Sequence, residues 1–279
     1  MDEARQAYIR TIDTVEQQRR RLGLGDPGSG RWDASAARFT ADPRRTPDAN
    51  LSAIMDYVAP EHVVLDVGGG AGRYALPIAL RCKEVINVEP SRGMGEAFEA
   101  SAKDAGISNA RWIGADWLAA GAVIGDVSLV VNVTYFVRDV VPFAEKLVAA
   151  SRERVIIAMS GTPPPNQSAA VFELVHGEPQ ALVPGYRELL PVLWEMGVVP
   201  DVRILQEARA TALGGAYADR EAALDSLEDA RRGESESARL RRSFDTHFEA
   251  LFERVPDGYR RRPSGDARMI LVTWATTAA

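Results

Sequence analysis

The chain of 279 residues holds one cysteine, Cys82, and three histidines, His62, His176 and His247. A single cysteine excludes an intramolecular disulfide and any cysteine metal cluster. Its apolar neighbours Ala79, Leu80 and Val85 mark it as a structural thiol. No stretch approaches the roughly 20 apolar residues that a membrane-spanning helix needs. The opening MDEARQAYIRTIDTVEQQRRR is charged throughout and lacks the apolar core of a secretory signal. A soluble, cytoplasmic protein is expected. Excess positive charge is missing as well. Lys plus Arg number 33 against 39 Asp plus Glu, a net charge of −6, which argues against a nucleic-acid partner. The basic clusters Arg19 to Arg21, Arg241–Arg242 and Arg260 to Arg262 read as solvated faces. No cluster of oxygen ligands signals a bound metal.

What is present is ample material for a core, 46% hydrophobic residues with 26% charged, and a clear rhythm. At this length one elaborated domain, or one with a small extra lobe, is expected. Helices are predicted near 2–21, with Ala7, Ile12 and Val15 as the apolar stripe, and near 48–58. The glycine-rich 22–30 reads as a mobile loop, and Trp32 and Phe39 share one face of a short helix. From His62, short apolar strands alternate with helices: strands at 62–67, 84–89, 110–115, 127–135 and 154–160, helices at 71–81, 91–105 and 139–150. This order predicts an α/β fold, a doubly wound Rossmann-like parallel sheet covered on both faces. Beyond 160 the pattern loosens into helices at 167–175 and 185–196, a sixth strand at 198–207, charged helices over 216–254 around an RRGESES break, and a last strand at 267–277.

The densest signal is VLDVGGGAGRYALPIA, residues 64–79. A phosphate-binding loop of the form GxxxxGK[ST] is excluded because no lysine follows Gly72. A dinucleotide loop, GxGxxG, finds Gly68 and Gly70 but meets Arg73 where helix–strand packing asks for a third glycine. No Tyr-x-x-x-Lys pair accompanies it. The form D-x-G-x-G-x-G, from Asp66 through Gly68, Gly69 and Gly70 to Gly72, is complete. Missing Cβ atoms let a ligand lie against the turn, and Asp66 favours a cationic ligand over a pyrophosphate.

This stretch resembles the cofactor motif of class I S-adenosylmethionine-dependent methyltransferases, and the resemblance extends over about residues 62–160. It implies a seven-stranded, mostly parallel sheet whose last strand runs antiparallel, with N-terminal helices and a helical insert before that strand. It implies S-adenosyl-L-methionine as cofactor. Glu89 would hold the ribose hydroxyls, with Pro90 beside it and Ser91 capping the next helix. Asp116 would accept from the adenine amine or cap its own turn; Trp117 would stack on adenine or pack in the core. Asn132 ends the fourth strand facing the donor, and Thr134 and Tyr135 either line the pocket or pack beneath the next helix. Asn132-x-x-Tyr135 has the outer residues of the N-P-P-Y motif of amine-modifying relatives, without the prolines. The catalytic candidates are His176, as a base over the acceptor, and Tyr135; His62 and His247 read as structural. Residues 1–58 would form an N-terminal helical segment or lid, with Trp32 and Phe39 either over the donor or anchoring their helix on the core, and 59–279 the α/β domain. Segments 161–197 and 210–262 would form the acceptor side. The expected substrate is a small molecule, and a homo-oligomer is compatible with the insert. An NAD(P)-dependent oxidoreductase and a non-catalytic S-adenosylmethionine-binding module are the alternatives.

Overall fold

The structure, a computed structural model, describes residues 2–25, 32–33, 36–208, 215–227, 233–262, 265–266 and 268–276. Much of the expected loop at 22–30, part of the Trp32–Phe39 helix and the start of the RRGESES break lie outside them. Seven strands form the main sheet: β1 Val63–Val67, β2 Glu84–Val88, β3 Ala110–Ile113, β4 Gly125–Val131, β5 Ser151–Ser160, β6 Asp201–Ala208 and β9 Arg268–Ala275. Their order is β3-β2-β1-β4-β5-β9-β6. The first five are mutually parallel, and β9 runs antiparallel between β5 and β6. The chain reverses direction across the sheet between β1 and β4, so a crevice opens where their carboxyl ends diverge.

Alternation along the strands sends neighbours to opposite layers. Val64, Val85, Leu129 and Ile156 pack under helices α2 Ala49–Met55, α3 Ala75–Ala79 and α4 Arg92–Asp104. Leu65, Ile86, Val130 and Ile157 face the other layer, with α1 Glu3–Arg21, α5 Val140–Ala150 and α7 Tyr186–Glu195. The buried stripe of α1 is Tyr8 and Ile12, flanked by Ala4 and Val15. Ala7 is exposed, because the i, i+4, i+7 spacing runs through Tyr8 instead. Glu195 of α7 accepts the backbone N–H groups of Ala4 and Arg5 at 2.9 and 3.3 Å, so a distant side chain satisfies the free donors at the start of α1.

The expectations fail at element ends. The fourth strand stops at Val131 rather than 135, because Asn132 takes a left-handed φ of 58°. The helix after the glycine loop begins at Ala75 rather than 71. Of the expected Trp32–Phe39 helix, the described residues Trp32 and Asp33 are helical and a 3₁₀ turn covers Ala36–Arg38. The insert between β6 and β9 is not wholly helical. After α8 Arg220–Asp225, α9 Glu234–Thr246 and α10 Phe248–Leu251 comes a hairpin, β7 Phe252–Val255 with β8 Gly258–Arg261. Pro256-Asp257-Gly258 is a turn signal. Its glycine has φ +125° and lies so close to the Tyr217 carbonyl that a Cβ would fall 2.0 Å from that oxygen. The insert has its own core of Leu224, Leu240, Phe244, Phe248 and Phe252, against which α6 Ala169–His176 packs through Val171, Leu174 and Val175. Among the described residues no helix is long and apolar enough to cross a membrane.

Candidate active site

The loop after β1 is built by its glycines. Gly68, Gly70 and Gly72 have φ of 69°, 55° and 82°, a region L side chains enter at about 1–2 kcal/mol each. A Cβ on Gly68 would lie 2.6 Å from Val133, so the β1 and β4 loops touch across the crevice. One on Gly72 would meet Phe98 and Leu76 at 2.6 and 2.8 Å. Gly70 is different: only Met94 Sδ lies near, at 3.7 Å, so this backbone is open to a ligand.

Asp66 lies beneath this loop rather than at its mouth. It is 1% exposed, and a Cβ on Gly69 would fall 2.3 Å from its Oδ2 and 2.7 Å from Oδ1 of Asn87. Asn87 donates from Nδ2 to the Gly70 carbonyl at 2.9 Å. Oδ1 of Asp66 and Oδ1 of Asn87 are both buried without a hydrogen-bond partner. Burial, and then the charge of Glu89, raise the Asp66 pKa to about 7. Asn87 escaped the sequence reading, although a polar residue inside the apolar run VINVE is a visible signal.

Glu89 follows β2 and holds the loop. Its Oε2 accepts from Gly70 N at 3.1 Å and its Oε1 from Ser91 N at 2.8 Å. Burial lifts its pKa, and those two N–H groups oppose the lift. Pro90 is exposed beside it. Ser91 caps α4 by accepting from Met94 N at 3.2 Å. Two residues absent from the candidate set join here. Asp33 accepts through Oδ1 from Ser91 Oγ at 2.6 Å and Gly93 N at 2.9 Å, and Trp112 donates from Nε1 to the Glu89 carbonyl at 2.8 Å. Trp32 packs with Ala36 on Ala71 and Met94 and meets Phe39 edge-on at 5.7 Å. The N-terminal segment therefore lies against the glycine loop.

At the end of β4, Asn132 is the one described non-glycine residue with positive φ. Its Oδ1 accepts from Tyr135 OH at 2.8 Å and from Ser160 N at 3.1 Å, and Ser160 N also donates to Tyr135 Oη at 2.7 Å. These bonds tie the carboxyl ends of β4 and β5 together and hold the strained residue in place. Tyr135 is 1% exposed. Thr134 is buried, and its carbonyl accepts from Tyr8 OH at 2.6 Å, so α1 crosses this end of the sheet.

Other candidates fall elsewhere. Trp117 is 3% exposed, donates to the Phe143 carbonyl at 3.3 Å and lies under Lys146 Nζ, 4.8 Å from its centroid. It packs in the core, and its ring presents no face for adenine. Asp116 is exposed and accepts through Oδ1 from Leu118 N at 2.9 Å. It caps its turn from an exposed position. His176 ends α6 with its ring tilted 46° to that of Phe172, centroids 4.4 Å apart, and its charge helps to lower the pKa of Glu178. His62 accepts from Ala59 N and lies 3.3 Å from Glu153. His247 contacts the Ser243 carbonyl. Cys82 is buried, its thiol pushed up to about 11.

No family model matches the chain. The 23S rRNA (uracil(1939)-C(5))-methyltransferase RlmD of Alkalilimnicola ehrlichii is 34% identical over 106 residues, 37% of this chain. The match spans 24% of that relative's length. The YcgJ protein of Bacillus subtilis superposes with a TM-score of 0.54 at 13% identity, covering 82% of this chain and 99% of that one. A geranyl diphosphate C-methyltransferase of Streptomyces coelicolor, solved with geranyl diphosphate and S-adenosyl-L-homocysteine, gives 0.50 at 14% identity, with 91% and 87% covered. This is the fold of the class I S-adenosylmethionine-dependent methyltransferases. A [4+2]-cyclase, SpnF, shares it with a TM-score of 0.55 at 11% identity, covering 82% of this chain and 80% of its own. Likeness at this level establishes architecture, and chemistry has to be read from side chains.

Proposed function

We propose that this protein is an enzyme that binds S-adenosyl-L-methionine over Gly68–Gly72 and transfers its methyl group to a small-molecule acceptor. The observation that carries the reading is Asp66, a buried carboxylate without a cation partner among the described residues, beneath a glycine loop that is open at Gly70. A cationic ligand compensates such a charge, whereas a pyrophosphate is repelled by it and by Glu89. S-adenosylmethionine supplies a methyl group already activated on sulfonium, so the protein's work is chiefly alignment and exclusion of water.

The residues divide that work. Glu89 uses each oxygen for one backbone N–H and keeps lone pairs for the ribose hydroxyls. Asp116 offers its second oxygen to the adenine amine. Trp32 and Asp33 cover the ribose side. Asn132, held by Tyr135 and Ser160, orients the β4 end toward the acceptor. Helices α1 and α6 and the insert lie at the sheet edge on that side, which favours a small acceptor. The Streptomyces neighbour acts on such a molecule, and the net charge of −6 disfavours an RNA like that of the rRNA methyltransferase. Neither Tyr135, which is locked in hydrogen bonds, nor His176, on Phe172, is assigned as a base.

Calorimetry should show saturable binding of S-adenosylmethionine and S-adenosylhomocysteine; no binding at millimolar ligand overturns the reading. Release of S-adenosylhomocysteine across a panel of small acceptors separates an enzyme from a module that only binds.

A further inference from the structure

The insert carries a cation that has no carboxylate partner among the described residues. Along β8, Tyr259 and Arg261 are half-buried while Arg260 is exposed. Tyr259 stands edge-on to Phe248, centroids 5.0 Å apart, so Arg261 shares the hairpin face that covers the insert's aromatic core. Several other arginines of the insert and its end have partners. Arg220 pairs with Asp245, Arg241 with Glu221 and Asp225, Arg268 with Asp266, and Arg262 donates to the carbonyls of Glu249 and Phe252. Among the described residues Arg261 has neither an ion pair nor a hydrogen bond. Burial pulls its pKa down, and only Tyr217 opposes this. A guanidinium taken from water without a carboxylate is unfavourable for folding, and its planar fork matches an oxyanion.

Its place in the fold gives the group a use. The insert leaves from the end of β6 and returns at the start of β9, both on the sheet edge that carries the glycine loop and Asn132. Its last residues are stitched to the chain just after Ser160: Gly161 N donates to the Arg268 carbonyl at 2.7 Å, Thr162 N to the Asp266 carbonyl at 2.6 Å, and Asp266 N to Thr162 Oγ1 at 2.9 Å. Ser160 is bonded to Asn132. Arg261 is five residues from Asp266, about 18 Å of chain at full extension.

We propose that Arg261 recognises an oxyanion, a carboxylate or a phosphate, on the acceptor. This rests on the methyl-transfer reading and adds the substrate's chemical class to it. The full chain, saturated with S-adenosylhomocysteine, is titrated with benzoate, phenyl phosphate and neutral benzamide. One of the two anions should bind saturably, which also tells carboxylate from phosphate, and benzamide should not. Arg261→Gln should weaken that binding by about tenfold or more, and Arg261→Lys should restore part of it. S-adenosylhomocysteine affinity should stay unchanged in both variants. Because a half-buried charge without a carboxylate partner is removed, the melting temperature of Arg261→Gln should hold or rise. Equal anion affinity in Arg261→Gln overturns the proposal. So does a wild-type protein that binds S-adenosylhomocysteine but neither anion at millimolar concentration, or a melting temperature that falls in the variant without any change in anion binding. A wild-type protein that fails to bind S-adenosylhomocysteine overturns the methyl-donor reading instead, and the anion titrations of the unliganded chain still judge Arg261.

Discussion

Oε2 of Glu89 accepts the backbone N–H of Gly70 at 3.1 Å, so the residue that follows one strand fixes the turn that follows another. The same carboxylate holds Ser91 N at the start of α4 and raises the pKa of Asp66 beneath the loop. Loop shape, helix start and local charge are therefore coupled.

Proton linkage follows from that coupling. The folded-state pKa of Asp66 is raised from 3.8 to about 7. A raised acid binds its proton more tightly in the folded than in the unfolded chain, so its contribution is fully present below about pH 4 and is lost as pH rises toward 7. The unliganded protein should lose stability over that window, by at most a few kcal/mol. A cation bound over the loop above Asp66 favours the carboxylate, so S-adenosylmethionine, with its sulfonium and ammonium, should bind more tightly at pH 8 than at pH 6 with proton release. Calorimetry in buffers of differing ionisation enthalpy measures that release; proton uptake, or none, contradicts the role of Asp66.

Two glycines of the loop should behave differently. Gly70→Ala adds strain of about 1–2 kcal/mol but meets no wall nearer than Met94 Sδ. It should keep most stability and lose ligand affinity, since the methyl group enters the open side. Gly72→Ala drives into Phe98 and Leu76 and should lower the melting temperature more. Paired thermal and binding titrations distinguish the two; the reverse ranking would place the ligand elsewhere.

Neighbouring residues after β3 should also separate. Asp116→Ala should weaken S-adenosylhomocysteine binding by a few-fold to about tenfold, with a small stability loss from the cap. Trp117→Phe removes the bond to Phe143 and part of the contact with Lys146. It should destabilise by about 1–2 kcal/mol and leave the affinity of the folded fraction unchanged. An affinity loss specific to Trp117→Phe would return that ring to the ligand.

Tyr8→Phe removes the hydroxyl that donates to the buried Thr134 carbonyl and should lower stability by about 1 kcal/mol. If α1 steadies the β4 end, turnover on a responsive acceptor should fall more than S-adenosylhomocysteine affinity does. Equal kinetics in the variant would reduce α1 to a support.

The main sheet was legible because its rules are local. The short apolar runs HVVLDV and VINVE, glycines at positive φ and Ser91 before α4 all act within a few residues. Trp117 was ambiguous because an aromatic after a strand suits a ligand face and a core equally, and only the packing of α5 with Lys146 chose between them. The hairpin at 252–261 was hidden inside a charged stretch whose helical composition outweighed the Pro256-Asp257-Gly258 turn.

By itself, the sequence determined the α/β alternation, the bend at Gly68–Gly72 and the acids at the ends of β1 and β2, since backbone sterics and strand period are carried by adjacent residues. Tertiary structure decided that Asp66 lies under the loop, that Asp33 reaches Ser91 across 58 positions and Tyr8 reaches Thr134 across 126, and that Arg261 has no carboxylate partner among the described residues. Those outcomes depend on which distant groups burial brings together or leaves alone, and no local pattern encodes them.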